Sequence, residues 1–291
     1  MKRDTILVPV DFTPVADCAL DHALEIAKLF DHKIYLLHVI GKKTPEKERT
    51  RLKTRIDNIA ASNSKRSGIH IYSNIVEGSI FDQINKTADE INAEFIIMGI
   101  HGTKGVQHII GSYAYKIVES SDVPVMVVKN RHHHIGYNNI VIPIHFGIDS
   151  SQTINQAIKF AKYFHSTIHV IGILGSKSSV YKIEKEVLLK KVVDYIDGFE
   201  AKSVAEVIIS PGSDIHDEVL DYAVKIDADL IMIVAEKSGR FSEILGKNTA
   251  EHIIDKADIP VLTVIQPDLD DDEDETLLSS FFDPLGLIDK Q

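Results

Sequence analysis

Phe95-Ile96-Ile97-Met98 and, 135 residues further on, Leu230-Ile231-Met232-Ile233-Val234 are unbroken apolar runs rather than alternating ones. A strand that shows water one face alternates, whereas a strand covered by helices on both faces is apolar throughout, the signature of a parallel sheet. Around the first run, strand and helix patterns alternate. Thr5–Val10 is a short apolar strand, and Pro14–Phe30 places Ala19, Ala23, Ile26, Ala27 and Phe30 at helical spacing. Thr13 is the predicted N-cap of that helix, with Pro14 in its first turn. Ile34–Ile40 is a second strand, Glu46–Ser64 a charged helix, Ile69–Val76 a strand, Ser79–Ile91 a helix, Phe95–Gly99 a strand, Gly111–Ser120 a helix and Val123–Val128 a last strand. This alternation predicts right-handed crossovers and a doubly wound, Rossmann-like α/β fold.

The pattern occurs twice. Val8-Pro9-Val10-Asp11 matches Ile142-Pro143-Ile144-His145 at an offset of 134, as Ala23, Ala27, Lys28 and Phe30 match Ala157, Ala161, Lys162 and Phe164. The offset grows to 135 by Gly111 and Gly246, and to 136 by Val123-Pro124-Val125 and Ile259-Pro260-Val261, as loop insertions would make it. The expected organisation is a first domain over 1–130, a second over 138–266 and a tail over 267–291. The two apolar closing strands, Val123–Val128 and Ile259–Val264, would be bare edges unless paired, so the repeats are expected to pack as a pseudo-dimer through them.

Composition bounds the function. The chain has 291 residues and a formal charge of −11, of which −8 falls after Pro267. The body is thus nearly balanced, without the basic stripe that nucleic acid requires. No run approaches the roughly 18 apolar residues of a membrane span. The single cysteine, Cys18, excludes an internal disulfide, and a cytoplasmic address is expected. No metal site is expected: His132-His133-His134 is a polar linker tract, and the run Asp270–Glu275 lacks the spacing and glycine of a calcium loop. The tail also carries Leu277, Leu278, Phe281 and Phe282 at one-face helical spacing, which predicts docking onto the chain's own body, a second chain or another protein.

In an open parallel sheet, ligands bind beyond the carboxyl ends of the strands. Two strand ends are equipped for this, Val8-Pro9-Val10-Asp11 and Met98-Gly99-Ile100-His101-Gly102-Thr103-Lys104-Gly105, the latter followed by Gly111-Ser112 at a helix start. Backbone N–H groups of Gly111, Ser112 and Tyr113 would receive anionic oxygens, and Asp11 would accept from a ribose or a base amino group. The residues alone leave open that these glycines only make turns.

Ile6–Pro14, the strand Leu36–Val39, Ile96–Gly105 with Gly111-Ser112, and Val123–Val128 resemble the universal stress protein family, and the resemblance covers about residues 4–266. It implies two tandem domains of adenine nucleotide alpha hydrolase-like fold. It also implies a nucleotide, ATP or AMP with Mg2+, in the first: Pro9, Val10 and Asp11 beside the adenosine, Val39 at the adenine, Met98 and Gly99 under the ribose, and Gly102, Gly111 and Ser112 on the phosphates with His101 facing them. The family's loop is Gly-x2-Gly-x9-Gly-[Ser/Thr]; here eight residues, Thr103–Ile110, stand where it has nine. In the second repeat His145, Val234, Lys237 and Lys247 replace Asp11, Gly99, Gly102 and Ser112, so one competent site is expected. The implied role is that of a stress-response sensor or regulator, homodimeric, with at most slow ATP hydrolysis. The alternative is a dimeric scaffold or chaperone-like protein that binds no nucleotide.

Overall fold

The computed structural model describes residues 3–100, 111–129, 136–144, 150–174, 179–209, 214–235 and 249–265. The first repeat runs β1 (Thr5–Pro9), α1 (Pro14–Phe30), β2 (Lys33–Ile40), α2 (Glu46–Ser67), β3 (Ile71–Glu77), α3 (Ile80–Glu90), β4 (Phe95–Gly99), α4 (Gly111–Ser120) and β5 (Val125–Val128). The second runs β6 (Asn139–Ile144), α5 (Ser151–Phe164), β7 (Thr167–Leu174), α6 (Ser179–Asp197), β8 (Lys202–Ile209), α7 (Ile215–Lys225), β9 (Leu230–Ala235), α8 (Thr249–Lys256) and β10 (Val261–Ile265). The doubly wound α/β reading holds in both.

The chain divides into two compact units, residues 1–136 with 254–263, and 137–253 with 264–291. In the first unit the strand order is β3-β2-β1-β4-β5-β10. All neighbours are parallel except β5 and β10, which pair antiparallel with Val261 opposite Val127 and Thr263 opposite Val125. The buried Thr263 hydroxyl donates to the Val125 carbonyl at 3.0 Å. The expected pairing of the two closing strands is therefore present. In the second unit the order is β9-β6-β7-β8, all parallel.

Local chemistry fixes the boundaries. The Thr13 hydroxyl accepts from the Ala16 N–H at 3.4 Å, capping α1, and Asp31 closes the helix in the left-handed region at φ 56°. The helix α2 runs three residues beyond its predicted end, to Ser67, because Gly68 (φ 78°) supplies its C-cap. The strand β5 begins two residues later than predicted. Pro124 has no N–H to give a ladder, and the Val123 N–H is taken by the Ser121 hydroxyl at 3.2 Å. Phe95–Met98 and Leu230–Met232 are excluded from water on both faces, as their runs require, and Cys18 is a buried core residue. The tail 267–291, with its acidic run and paired phenylalanines, lies outside the described residues, as does the tract His132-His133-His134.

Candidate functional site

In the first unit the chain runs outward from β1 to β2 and β3, then returns to β4 beside β1. The strand order reverses between β1 and β4, where a crevice opens at the carboxyl ends. A cavity of about 270 Å3 lies there. Pro9, Val10 and Asp11 reach it from the end of β1, His38 and Val39 from β2, Met98 and Gly99 from β4, and Ile80 and Ile84 from α3. Six of the predicted site residues, Pro9, Val10, Asp11, Val39, Met98 and Gly99, are thus brought together. Gly111, Ser112 and Tyr113 form the first turn of α4, as predicted. His101 and Gly102 lie outside the described residues.

The turn after β1 is built around Asp11. Its Oδ1 accepts from the Thr13 N–H at 3.0 Å and from the Thr13 hydroxyl, an Asx turn that bends the chain into α1. Between them Phe12 sits at φ 64°, a left-handed conformation unusual for a bulky residue. Two side chains pack against its ring. The His38 ring lies 4.5 Å away, tilted by 47°, and the Arg55 guanidinium of α2 lies 4.3 Å over the ring centre.

His38 itself is fixed by the Val10 carbonyl, 2.6 Å from Nδ1. A carbonyl only accepts, so Nδ1 carries the proton, and in the neutral ring Nε2 is left as an acceptor. Burial pushes the His38 pKa down, against the Val10 bond and the Asp11 charge, which favour the protonated form; Arg55 adds to the lowering. The crevice therefore presents a neutral imidazole and a carboxylate at its strand ends, against aliphatic walls. That combination suits a flat, partly polar ring carrying hydroxyl or amino groups.

Gly99 has a different reason from the one the glycine spacing implied. A Cβ there would stand 2.5 Å from the Val15 carbonyl oxygen and 2.7 Å from its carbonyl carbon. The residue must be glycine because α1 crosses β4 at that point, whether or not a ligand is present.

The second unit has a crevice at the corresponding place, but of about 50 Å3. Its lining includes Pro143, Ile144, Ile173, Val219, Ile233 and Val234. Val234, the counterpart of Gly99, is part of that lining. His145, Lys237 and Lys247 lie outside the described residues.

The pattern of the universal stress protein family matches residues 2–129 and again 136–264. The chain belongs to the universal stress protein family. It is 29% identical over 153 residues to universal stress protein MJ0577 of Methanocaldococcus jannaschii, covering 43% of this chain and 94% of that one. It is 28% identical over 142 residues to universal stress protein MJ0531 of the same organism, covering 43% and 81%. Over nearly its full length it shares its fold with a universal stress protein from Archaeoglobus fulgidus, with a TM-score of 0.73, 16% identity, and 91% and 97% of the two chains covered. Among the described residues no helix is long and apolar enough to cross a membrane.

Sequence reasoning missed His38 as part of the crevice lining, and with it the Phe12 ring that packs on His38 and the Arg55 guanidinium over that ring. His38 was visible only as a polar residue inside an apolar strand, Tyr35-Leu36-Leu37-His38-Val39-Ile40. Arg55 lies on a helix rich in charge, where nothing singles it out.

Proposed function

We propose that this universal stress protein binds one adenine nucleotide, ATP or AMP, in the crevice of its first unit and acts in the stress response as a sensor or regulator. The observation that carries the reading is the 270 Å3 crevice at the strand-order reversal, with Asp11 at its rim. The much smaller crevice of the second unit supports a single site. In this reading Pro9, Val10, Asp11 and Val39 face the adenosine, and Met98 and Gly99 underlie the ribose. His101, Gly102, Gly111, Ser112 and Tyr113 receive the phosphates, with Mg2+ as companion to a triphosphate. The protein works in the cytoplasm as a homodimer, and its output is a changed contact with a protein partner rather than a chemical product.

The test is mass spectrometry of small molecules released on denaturing the purified protein, followed by calorimetry with ATP and AMP. One site per chain is expected. Asp11→Ala should weaken it by at least tenfold, since a hydrogen bond to a charged group is worth about 1.5–3 kcal/mol. Two equivalent sites per chain would overturn the single-site reading. A specific observation favours a second reading, a nucleotide-free scaffold: Gly99 is demanded by the Val15 backbone and so is no signal of a ligand. That reading takes over if neither nucleotide is released nor bound.

A further inference from the structure

The outer edge of β8 has no strand partner among the described residues. Its neighbour in the ladder is β7, which pairs with it over Lys202–Ile209. An edge strand of this length presents backbone N–H and C=O groups to whatever lies alongside, so proteins either shield such edges or use them. A groove of about 500 Å3 lies against this one, lined by Ala205, Glu206 and Val207 of β8 and by Leu189, Lys190 and Val193 of α6 among others. Successive strand residues point to opposite faces, so three in a row line one groove only along the strand's edge.

The strand Lys202-Ser203-Val204-Ala205-Glu206-Val207-Ile208-Ile209 holds two charges of opposite sign, four positions apart. The Ser203 hydroxyl donates to the Asp197 carboxylate of α6 at 3.1 Å. Ser203 therefore faces α6, and Lys202, Val204 and Glu206 share the other face, all three exposed. A second β8 laid antiparallel along this edge, with a two-fold axis at Val204, sets Lys202 opposite Glu206 of the copy and Glu206 opposite its Lys202. Val204 then meets Val204. An axis at Lys202 or at Glu206 sets like charges opposite each other, which destabilises a strand pair. Only the Val204 register joins both charges. Glu206 lies 3.6 Å from Lys225 Nζ in an exposed pair; such a pair is worth little and leaves the carboxylate able to take a second cation. The edge strand of the first unit, β3, offers no such match. Its one charge, Glu77, is ion-paired with Arg49 of α2.

We propose that β8 is a homodimer interface, in which two copies join antiparallel at this edge about a two-fold axis at Val204 and extend the second unit's sheet from one copy into the other. The contact is isologous, the same patch serving both copies. The inference rests on the homodimer reading above and assigns it a surface; it does not depend on nucleotide binding. Within the chain, antiparallel pairing already covers the apolar edge of β5 with β10.

Sedimentation velocity of the full chain over a concentration series should show a monomer–dimer equilibrium. Lys202→Glu and Glu206→Lys should each weaken the dimer about tenfold or more, since each sets two like-charge pairs opposite, and the double swap should restore it. Val204→Cys should give a disulfide-linked dimer on mild oxidation, because opposed residues of an antiparallel pair stand about 4.5–5.5 Å apart, within disulfide reach. Ala205→Cys, one position off the axis, should not. The native Cys18 is buried and stays out of the reaction. A dimer unchanged in both charge variants, with no cross-link through position 204, would overturn the β8 interface and leave the homodimer standing. A chain that stays monomeric at its highest soluble concentration would overturn both. Slow amide exchange along β8 that does not vary with concentration would mean that another segment of the same chain covers the edge, and would also overturn the proposal.

Discussion

Replacing Gly99 with alanine separates packing from ligand binding at the residue where the two are most easily confused. The added Cβ would meet the Val15 carbonyl oxygen at 2.5 Å, the carbonyl carbon at 2.7 Å and Val15 Cγ1 at 2.7 Å. Carbon contacts settle at about 3.5–4.0 Å, so α1 must move away from β4 by about 1 Å. Two of the three atoms are helix backbone, and α1 is anchored by the buried Ala16, Ala19, Ala23, Ile26 and Phe30. A rotamer change cannot relieve the clash. Overpacking a core costs about 1–3 kcal/mol, and an obstacle of backbone places this change in the upper part, about 2–3 kcal/mol. At about 2–4 °C per kcal/mol for a unit of this size, the melting transition of the first unit should fall by about 5–10 °C. Scanning calorimetry on protein stripped of small molecules is the assay. Gly41→Ala is the control, because no atom lies within 4 Å of its added Cβ. A Gly99→Ala protein within about 0.5 kcal/mol of the parent, the range of neutral surface changes, would refute the packing argument and return the glycine to the ligand.

Two pH dependences follow from half-buried groups in the first unit. His38 has its pKa lowered by burial, so the unfolded chain binds the proton more readily; stability should be complete above about 6.5 and decline as pH falls below it. Urea midpoints between pH 5 and 8 should show this acid limb, and His38→Gln should flatten it. Glu25 of α1 is shifted the other way, raised by burial to about 7 against a Gly136 N–H bond that favours the charged form. Its folded value lies above its unfolded one, so its contribution is full below about 4.5 and is lost as pH rises towards 7. The full gap would be about 3 kcal/mol for a fully shielded group; for a half-buried one about half of that is expected, and Glu25→Gln should gain it at pH 8.

Much of the fold was legible because its determinants are local. The bounds of α1, β4 and α4 were fixed by Thr13-Pro14, by an apolar run ending at Gly99, and by Gly111. Two boundary errors have a local cause: Pro124 and Ser121 delayed β5, and Gly68 let α2 run past Ser64; β3 also began two residues later than its reading, at Ile71. The strand ends of the site were legible too, since topology alone places ligands beyond them. The ring cluster of Phe12, His38 and Arg55 was not. It joins residues 12, 38 and 55, and its members meet only because a left-handed Phe12 turns its ring towards β2 and α2. Nothing in composition or periodicity encodes that turn.

The two repeats sharpen what counts as a site marker in this chain. Glycine at position 99 and valine at 234 look, in the sequence, like a competent site and a blocked one. The structure assigns the glycine to the approach of α1 and leaves the difference between the crevices to other side chains. At the matching offset of 134, His38 corresponds to Gly172 and Val39 to Ile173. The first crevice thus has an imidazole, held by the Val10 carbonyl and backed by Phe12, where the second has no side chain at all. Asp11 supplies the carboxylate beside it; its counterpart in the second repeat, His145, lies outside the described residues. The imidazole of His38, together with about 270 Å3 against about 50 Å3 of space, therefore separates the crevices more surely than the glycine count does. A chain in which Val234 alone is changed to glycine should gain room without gaining the imidazole, and adenine nucleotide binding should not appear in its second unit. Binding at a second site in Val234→Gly, measured by calorimetry, would show that the glycine and not the polar pair sets competence.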